Sequence, residues 1–131
     1  MTFYEVIKIW QGREMANILI VDDQPSFREL LSEELTHEGY RVSSIGDAES
    51  IHGHLRDSRP DLVLLDLCLD GFEGWEVLRV IKKKDPNLPV LIVTAYDSFV
   101  DDPRVSQADG YVVKSFVALD ELKQKIVDVL G

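Results

Sequence analysis

The feature that most constrains this chain is a repeated punctuation. Short apolar runs recur at residues 18–21, 62–65, 90–93 and 111–113, each stopping at a charged or hydroxyl residue, and the mixed stretch 40–45 reads as a further strand. Unbroken apolar runs of this length read as strands buried on both faces. Between them lie residues at helical spacing: Phe27, Leu30, Leu31 and Leu35, then Trp75, Leu78 and Ile81, and finally Leu119, Leu122, Ile126 and Leu130. Strands that alternate with helices are joined by crossovers, and crossovers build parallel sheets. The pattern therefore predicts an α/β domain, a doubly wound five-stranded parallel sheet with helices on both faces.

Local chemistry refines the pattern. Pro25 suits the first turn of the first helix, and Gly39 suits its end. Asp47 is expected to cap a weaker helix running to about Arg56. The third helix should stop before Asp85-Pro86, after a loop containing Gly71 and Gly74. Residues 98–109 hold Pro103 and the pair Asp101-Asp102, so a short or irregular helix is expected there. Residues 1–14 precede a fresh start at Met15 and read as an extension of unknown role, leaving 15–131 as the domain.

Composition narrows the function classes. A length of 131 residues fits one domain, and 45% hydrophobic with 29% charged residues is a globular balance. Asp and Glu number 24 against 14 Lys and Arg, giving a formal net charge of −10. An acidic surface repels a phosphate backbone, so direct nucleic-acid binding is not expected. The lone Cys68 supplies neither a disulfide nor a cysteine zinc site, and it reads as a small neutral side chain. His52 and His54 stand two apart on different helical faces, which argues against a shared metal. No leader-like opening or bilayer-length apolar run is present, so a cytoplasmic location without membrane contact is expected.

The chemistry lies at the strand ends. In open parallel sheets, ligands bind beyond the carboxyl ends of the strands. There the sequence places Asp22 and Asp23, Asp66, Thr94 and Lys114. One of the acidic pair can also cap the following helix, but three carboxylates crowded at one edge repel each other unless a cation intervenes. Oxygen-only ligands favour Mg²⁺. Three carboxylates and one lysine leave a charge of −2, which a single Mg²⁺ would neutralise. A carboxylate beside Mg²⁺ is a competent nucleophile toward a phosphoryl group.

At these residues the chain resembles the receiver domain of two-component response regulators. ILIVDDQPSFRELL is similar to that family's first strand, acidic pair and first helix. DLVLLDLCLDGFEGWEVL resembles its phosphoacceptor strand and loop, LIVTAY its hydroxyl-bearing strand, and DGYVVKSF its lysine strand. The resemblance runs over residues 15–131 and implies a flavodoxin-like strand order 2-1-3-4-5. It implies that Asp66 accepts a phosphoryl group from a sensor histidine kinase or histidine phosphotransfer protein. Asp23, Asp66 and the backbone carbonyl of Cys68 would ligate Mg²⁺ directly, with Asp22 acting through metal-bound water. Thr94 and Lys114 would contact the phosphoryl group, and Tyr111 matches the aromatic that packs inward when Thr94 moves. Ala95 leaves the group approachable, while Cys68 and Tyr96 occupy positions that influence its lifetime. The resemblance makes the domain a phosphoacceptor rather than an enzyme acting on other substrates, switching contacts with a downstream protein or a second copy of the chain.

Two departures stand out. The family usually has proline after the lysine, often with a cis peptide bond that aims the lysine; here Ser115 follows Lys114. Either that peptide is trans with a rearranged loop, or its surroundings force it cis. The stretch between Thr94 and Lys114 is also short for the family. These departures sustain an alternative, a receiver-like interaction module independent of phosphorylation. A Mg²⁺-dependent phosphatase commonly needs a second acid two residues after the nucleophile, where this chain has Cys68. The chain ends at Gly131, so it reads either as a stand-alone regulator or as a domain excised from a longer protein.

Overall fold

The computed structural model describes Thr2 and residues 16–69, 73–115 and 118–131. Its strands are β1 (Asn17–Val21), β2 (Arg41–Ile45), β3 (Leu62–Leu65), β4 (Val90–Thr94) and β5 (Gly110–Val113). All pair in parallel, in the order β2-β1-β3-β4-β5. Each strand lies within a residue of its apolar run at either end, because β1, β3 and β4 are covered on both faces and only apolar side chains suit either side. The helices are α1 (Pro25–His37), α2 (Ile51–Ser58), α3 (Gly74–Lys84) and α4 (Ala118–Leu130).

Alternate strand residues feed two separate cores. Ile18, Ile20, Leu62, Leu64, Leu91 and Val93 meet Leu31 and Leu35 of α1 and Leu122 and Ile126 of α4. Leu19, Val21, Val63, Leu65, Val90 and Ile92 meet Ile51 of α2 and Val77, Leu78 and Ile81 of α3. Helices therefore cover both faces, as the unbroken runs require.

Local details differ in two places, and a third refines the expectation. On α1, Leu31 and Leu35 are buried and Phe27 packs beside them, whereas Leu30 is 46% exposed. It lies off the i, i+4 row that Phe27, Leu31 and Leu35 share. The helix α2 begins at Ile51, later than a cap at Asp47 would give. Asp47 Oδ1 instead accepts the Ser50 N–H at 2.7 Å and closes a turn over 47–50. The short helix expected within 98–109 is a 3-10 helix, Pro103–Gln107, with Asp102 accepting from Arg104 N at its start. The proposed extension (residue 1 and 3–14), Gly71 of the expected loop, and residues 116–117 lie outside the described residues.

Candidate functional site

Backbone hydrogen bonds pin the site before any side chain is considered. One residue beyond their strands, Asp22 N–H donates to Ile45 O at 3.1 Å, Asp66 N–H to Val21 O at 2.9 Å, and Lys114 N–H to Thr94 O at 2.7 Å. The ladder thus continues through the residues that carry the chemistry, so their direction is set by the sheet. The helix α3 begins at Gly74, against the backbone just beyond β3, where the Gly74 N–H donates to Leu67 O at 3.2 Å. A Cβ at Gly74 would lie 2.4 Å from Leu67 Cα and 2.6 Å from Asp66 O, so only glycine allows this approach.

Asp22, Asp23 and Asp66 each present a carboxylate oxygen, all within 4.8 Å of one another. Asp22 and Asp66 are buried and Asp23 is exposed. Asp22 is fully engaged: Oδ1 accepts the Gln24 N–H at 2.8 Å, and Oδ2 pairs with Lys114 Nζ at 2.7 Å. Neither acid caps α1, whose N-cap is Gln24. Asp66 Oδ1 accepts the Cys68 N–H at 3.0 Å, and Oδ2 accepts from Lys114 Nζ at 2.8 Å. No hydrogen bond or ion pair among the described residues restrains the Asp23 carboxylate, which leaves it the most available donor to a cation.

Lys114 ties the site together. Its ammonium donates to Asp22, Asp66 and Gln24 Oε1, the last at 3.0 Å, and lies 4.2 Å from the centre of the Phe27 ring. Three donors therefore have three acceptors, and the aromatic face backs the charge. Burial opposes that charge, but hydrogen bonds and attraction from Asp22 and Asp66 outweigh it and hold the ammonium above the usual lysine range. For Asp22, burial dominates and pushes the carboxyl up despite Lys114 and the Gln24 N–H. Burial likewise pushes the Cys68 thiol up, keeping it a neutral side chain.

The Lys114–Ser115 peptide is trans, since no cis bond occurs among the described residues. The lysine nevertheless reaches Asp66, held by Gln24 and Phe27. Neither residue belongs to the strand-end set that the sequence marks; the available signal is their place in the first turn after the acidic pair.

Thr94 completes the arrangement. Its Oγ1 is fully buried and forms no geometric hydrogen bond, the one such side-chain atom among the described residues. The Cys68 thiol interacts with it only weakly. A buried hydroxyl without a proper partner costs free energy, so this oxygen is set to receive one. Tyr111 is half-buried and donates its hydroxyl to the Tyr96 carbonyl. The arrangement offers oxygen-only donors for a hard divalent cation, with an ammonium and a hydroxyl beside the most buried acids.

Comparison with known proteins agrees with this geometry. The family model described as response regulator receiver domain matches residues 18–127. The DNA-binding response regulator MtrA of Mycolicibacterium smegmatis is 44% identical over 101 residues, 76% of this chain and 44% of MtrA. The chain spans between 43% and 45% of the length of the curated relatives it matches. Among solved structures, the response regulator TrrA of Thermotoga maritima in complex with Mg²⁺-BeF is 41% identical with a TM-score of 0.82, covering 88% of this chain and 99% of TrrA. TrrA in complex with the histidine kinase ThkA matches equally well, at 41% identity and TM-score 0.82, covering 89% of this chain and 100% of TrrA. No helix among the described residues is long and apolar enough to cross a membrane. Sheet order, strand-end chemistry and the span of the match lead to one conclusion: the chain belongs to the response regulator receiver domain family.

Proposed function

We propose that Asp66 accepts a phosphoryl group from the phosphohistidine of a sensor kinase or phosphotransfer protein, and that the domain then changes its protein contacts. The observation that carries this reading is a cluster of three carboxylates, two of them paired with one lysine, beside a buried hydroxyl that lacks a proper partner. Mg²⁺ fits the donor set: Asp23, Asp66 and the Cys68 carbonyl would hold it, and Asp22 would act through water. When bound, it neutralises the crowded carboxylates and withdraws charge from the transferring group.

The residues themselves do the rest. An Asp66 oxygen attacks phosphorus, the P–N bond to imidazole breaks, and its electron pair leaves on the ring nitrogen, which takes a proton from solvent. Lys114, now shared between Asp22 and Asp66, moves to a phosphoryl oxygen, and the Thr94 hydroxyl donates to another. With Thr94 drawn toward Asp66, Tyr111 leaves the Tyr96 carbonyl and packs inward. The phosphoryl group is lost when water attacks phosphorus and the Asp66–phosphorus bond breaks, regenerating the carboxylate and releasing inorganic phosphate. The complex of TrrA with ThkA supports a histidine kinase as donor. With a net charge of −10, this domain signals through protein contacts, and we assign any DNA binding by a longer protein to chain outside it.

The test is direct. With a small phosphodonor and Mg²⁺, the domain should gain one phosphoryl group by intact mass, and Asp66→Asn should gain none. Absence of labelling across all Mg²⁺ concentrations overturns the reading.

A further inference from the structure

Arg28 stands outside the set just described, yet it grips the acidic loop. Its Nη1 donates to the backbone carbonyl of Asp22 at 2.6 Å, from one turn into α1. The guanidinium lies against Gly46: a Cβ there would meet Nη1 at 2.6 Å, Cζ at 3.1 Å and Nη2 at 3.4 Å. The Asp22 N–H already binds Ile45 O. Both polar atoms of the Asp22 backbone are therefore anchored at the end of β2, one directly and one through an arginine seated on its glycine. The carbonyl that Arg28 holds belongs to the peptide joining Asp22 to Asp23. That peptide sets the direction of Asp23, whose exposed carboxylate has no hydrogen bond or ion pair of its own among the described residues.

We propose that Arg28, seated on Gly46, is a positioning residue that orients Asp23 for the divalent cation. The inference rests on the Mg²⁺ site proposed above and deepens it. Groups that orient a metal's ligands without touching it contribute substantially to affinity. The sign of the effect separates this role from simple electrostatics. A guanidinium beside a cation site repels the cation, so by Coulomb's law alone its removal should tighten binding. Loss of positioning should weaken it. Gly46→Ala makes the distinction without altering charge, because the atoms it would strike are the far end of a flexible side chain.

The experiment is a ¹⁵N–¹H NMR titration of the domain with MgCl₂, with dissociation constants read from amides of the 22–24 turn. Arg28→Ala, Arg28→Lys and Gly46→Ala should each weaken Mg²⁺ on the order of tenfold, the low end of outer-shell effects on metal sites. Arg28→Lys keeps the charge but loses the planar fork. The double variant Arg28→Ala with Gly46→Ala should bind no more weakly than the worse single variant, since both act through one contact. Unchanged strand amides report that a variant is folded, and Gly46→Ala and Arg28→Lys carry the test if Arg28→Ala is not. Unchanged or tighter binding in a folded Arg28→Ala overturns the proposal, as do wild-type affinity in Gly46→Ala and additive losses in the double variant. Failure of the unaltered domain to bind Mg²⁺ overturns both this inference and the reading it rests on.

Discussion

The crossover from β3 to β4 and the crossover from β4 to β5 cover the same face of the sheet by different means. The first is an eleven-residue helix, α3, that seats Val77, Leu78 and Ile81 in the core at 2% exposure or less. The second contains a five-residue 3-10 helix that buries no residue. It is held by a clasp: Asp102 pairs with Arg104, Arg104 lies 4.1 Å over the Trp75 ring, and Phe99 meets the rings of Tyr96 and Trp75 edge-on. Segments with few buried apolar contacts open at low free energy, while packed core elements open only with the whole domain. A phosphoryl-dependent change can therefore be carried by residues 95–109 without loosening α3. Both crossovers begin beside the site, but only one is weakly enough held to respond.

The sharpest way to break this contrast is to truncate one apolar side chain to alanine in each crossover. Ile81→Ala, at a fully buried position, should cost about 2–5 kcal/mol in denaturant unfolding. Val105→Ala, at a partly buried position in the 3-10 helix, should cost less than about 1 kcal/mol. Equal costs would mean that both crossovers are core elements and that the division is wrong.

Gly74→Ala probes where the stiff crossover meets the site. The added methyl would strike the backbone of Asp66 and Leu67, which cannot swing away as a side chain can. Overpacking of this kind should cost about 1–3 kcal/mol. It should also slow phosphoryl labelling of the folded fraction, because the same backbone carries Asp66. Full labelling speed at reduced stability would show that α3 braces the fold without aiming the acceptor.

These two crossovers also divide what the sequence makes legible. The strands β1, β3 and β4 are readable because burial on both faces admits only apolar residues, and Asp22, Asp66, Thr94 and Lys114 because they end apolar runs at one edge of the sheet. The contacts that adjust the site were not readable. Gln24 and Phe27 reach Lys114 from across the sheet edge, and Arg28 finds Gly46 only once β1 and β2 are paired in register. No local pattern encodes such a meeting. The 95–109 segment was legible only as a departure: Pro103 and the acidic pair argued against a regular helix, while the clasp of Arg104 on Trp75 joins residues 29 positions apart. Asp47 shows the limit at shorter range, since a turn and a cap use the same side chain and the same kind of backbone donor.

The smallest effects should come from the clasp itself, and pH gives access to it. Hydrogen bonds from Arg104, side chain first and then backbone, hold the Asp102 carboxyl well below its usual range, at about 2. A depressed folded-state value means that the pair favours the folded segment fully above the ordinary carboxylate range, and that this contribution fades as pH falls through about 2. The clasp should therefore stay closed through mild acid. In an NMR titration, Asp102 should show a midpoint of about 2 in the unaltered domain and move up toward 3.8 in Arg104→Ala. The same variant should speed hydrogen exchange at Val105 and Ala108, whose amides close the 3-10 turns, and leave the α3 amides slow. Faster exchange in α3 as well would tie the two crossovers into one unit. A local response would leave residues 95–109 as the part of this face free to move on the proposed phosphoryl transfer to Asp66.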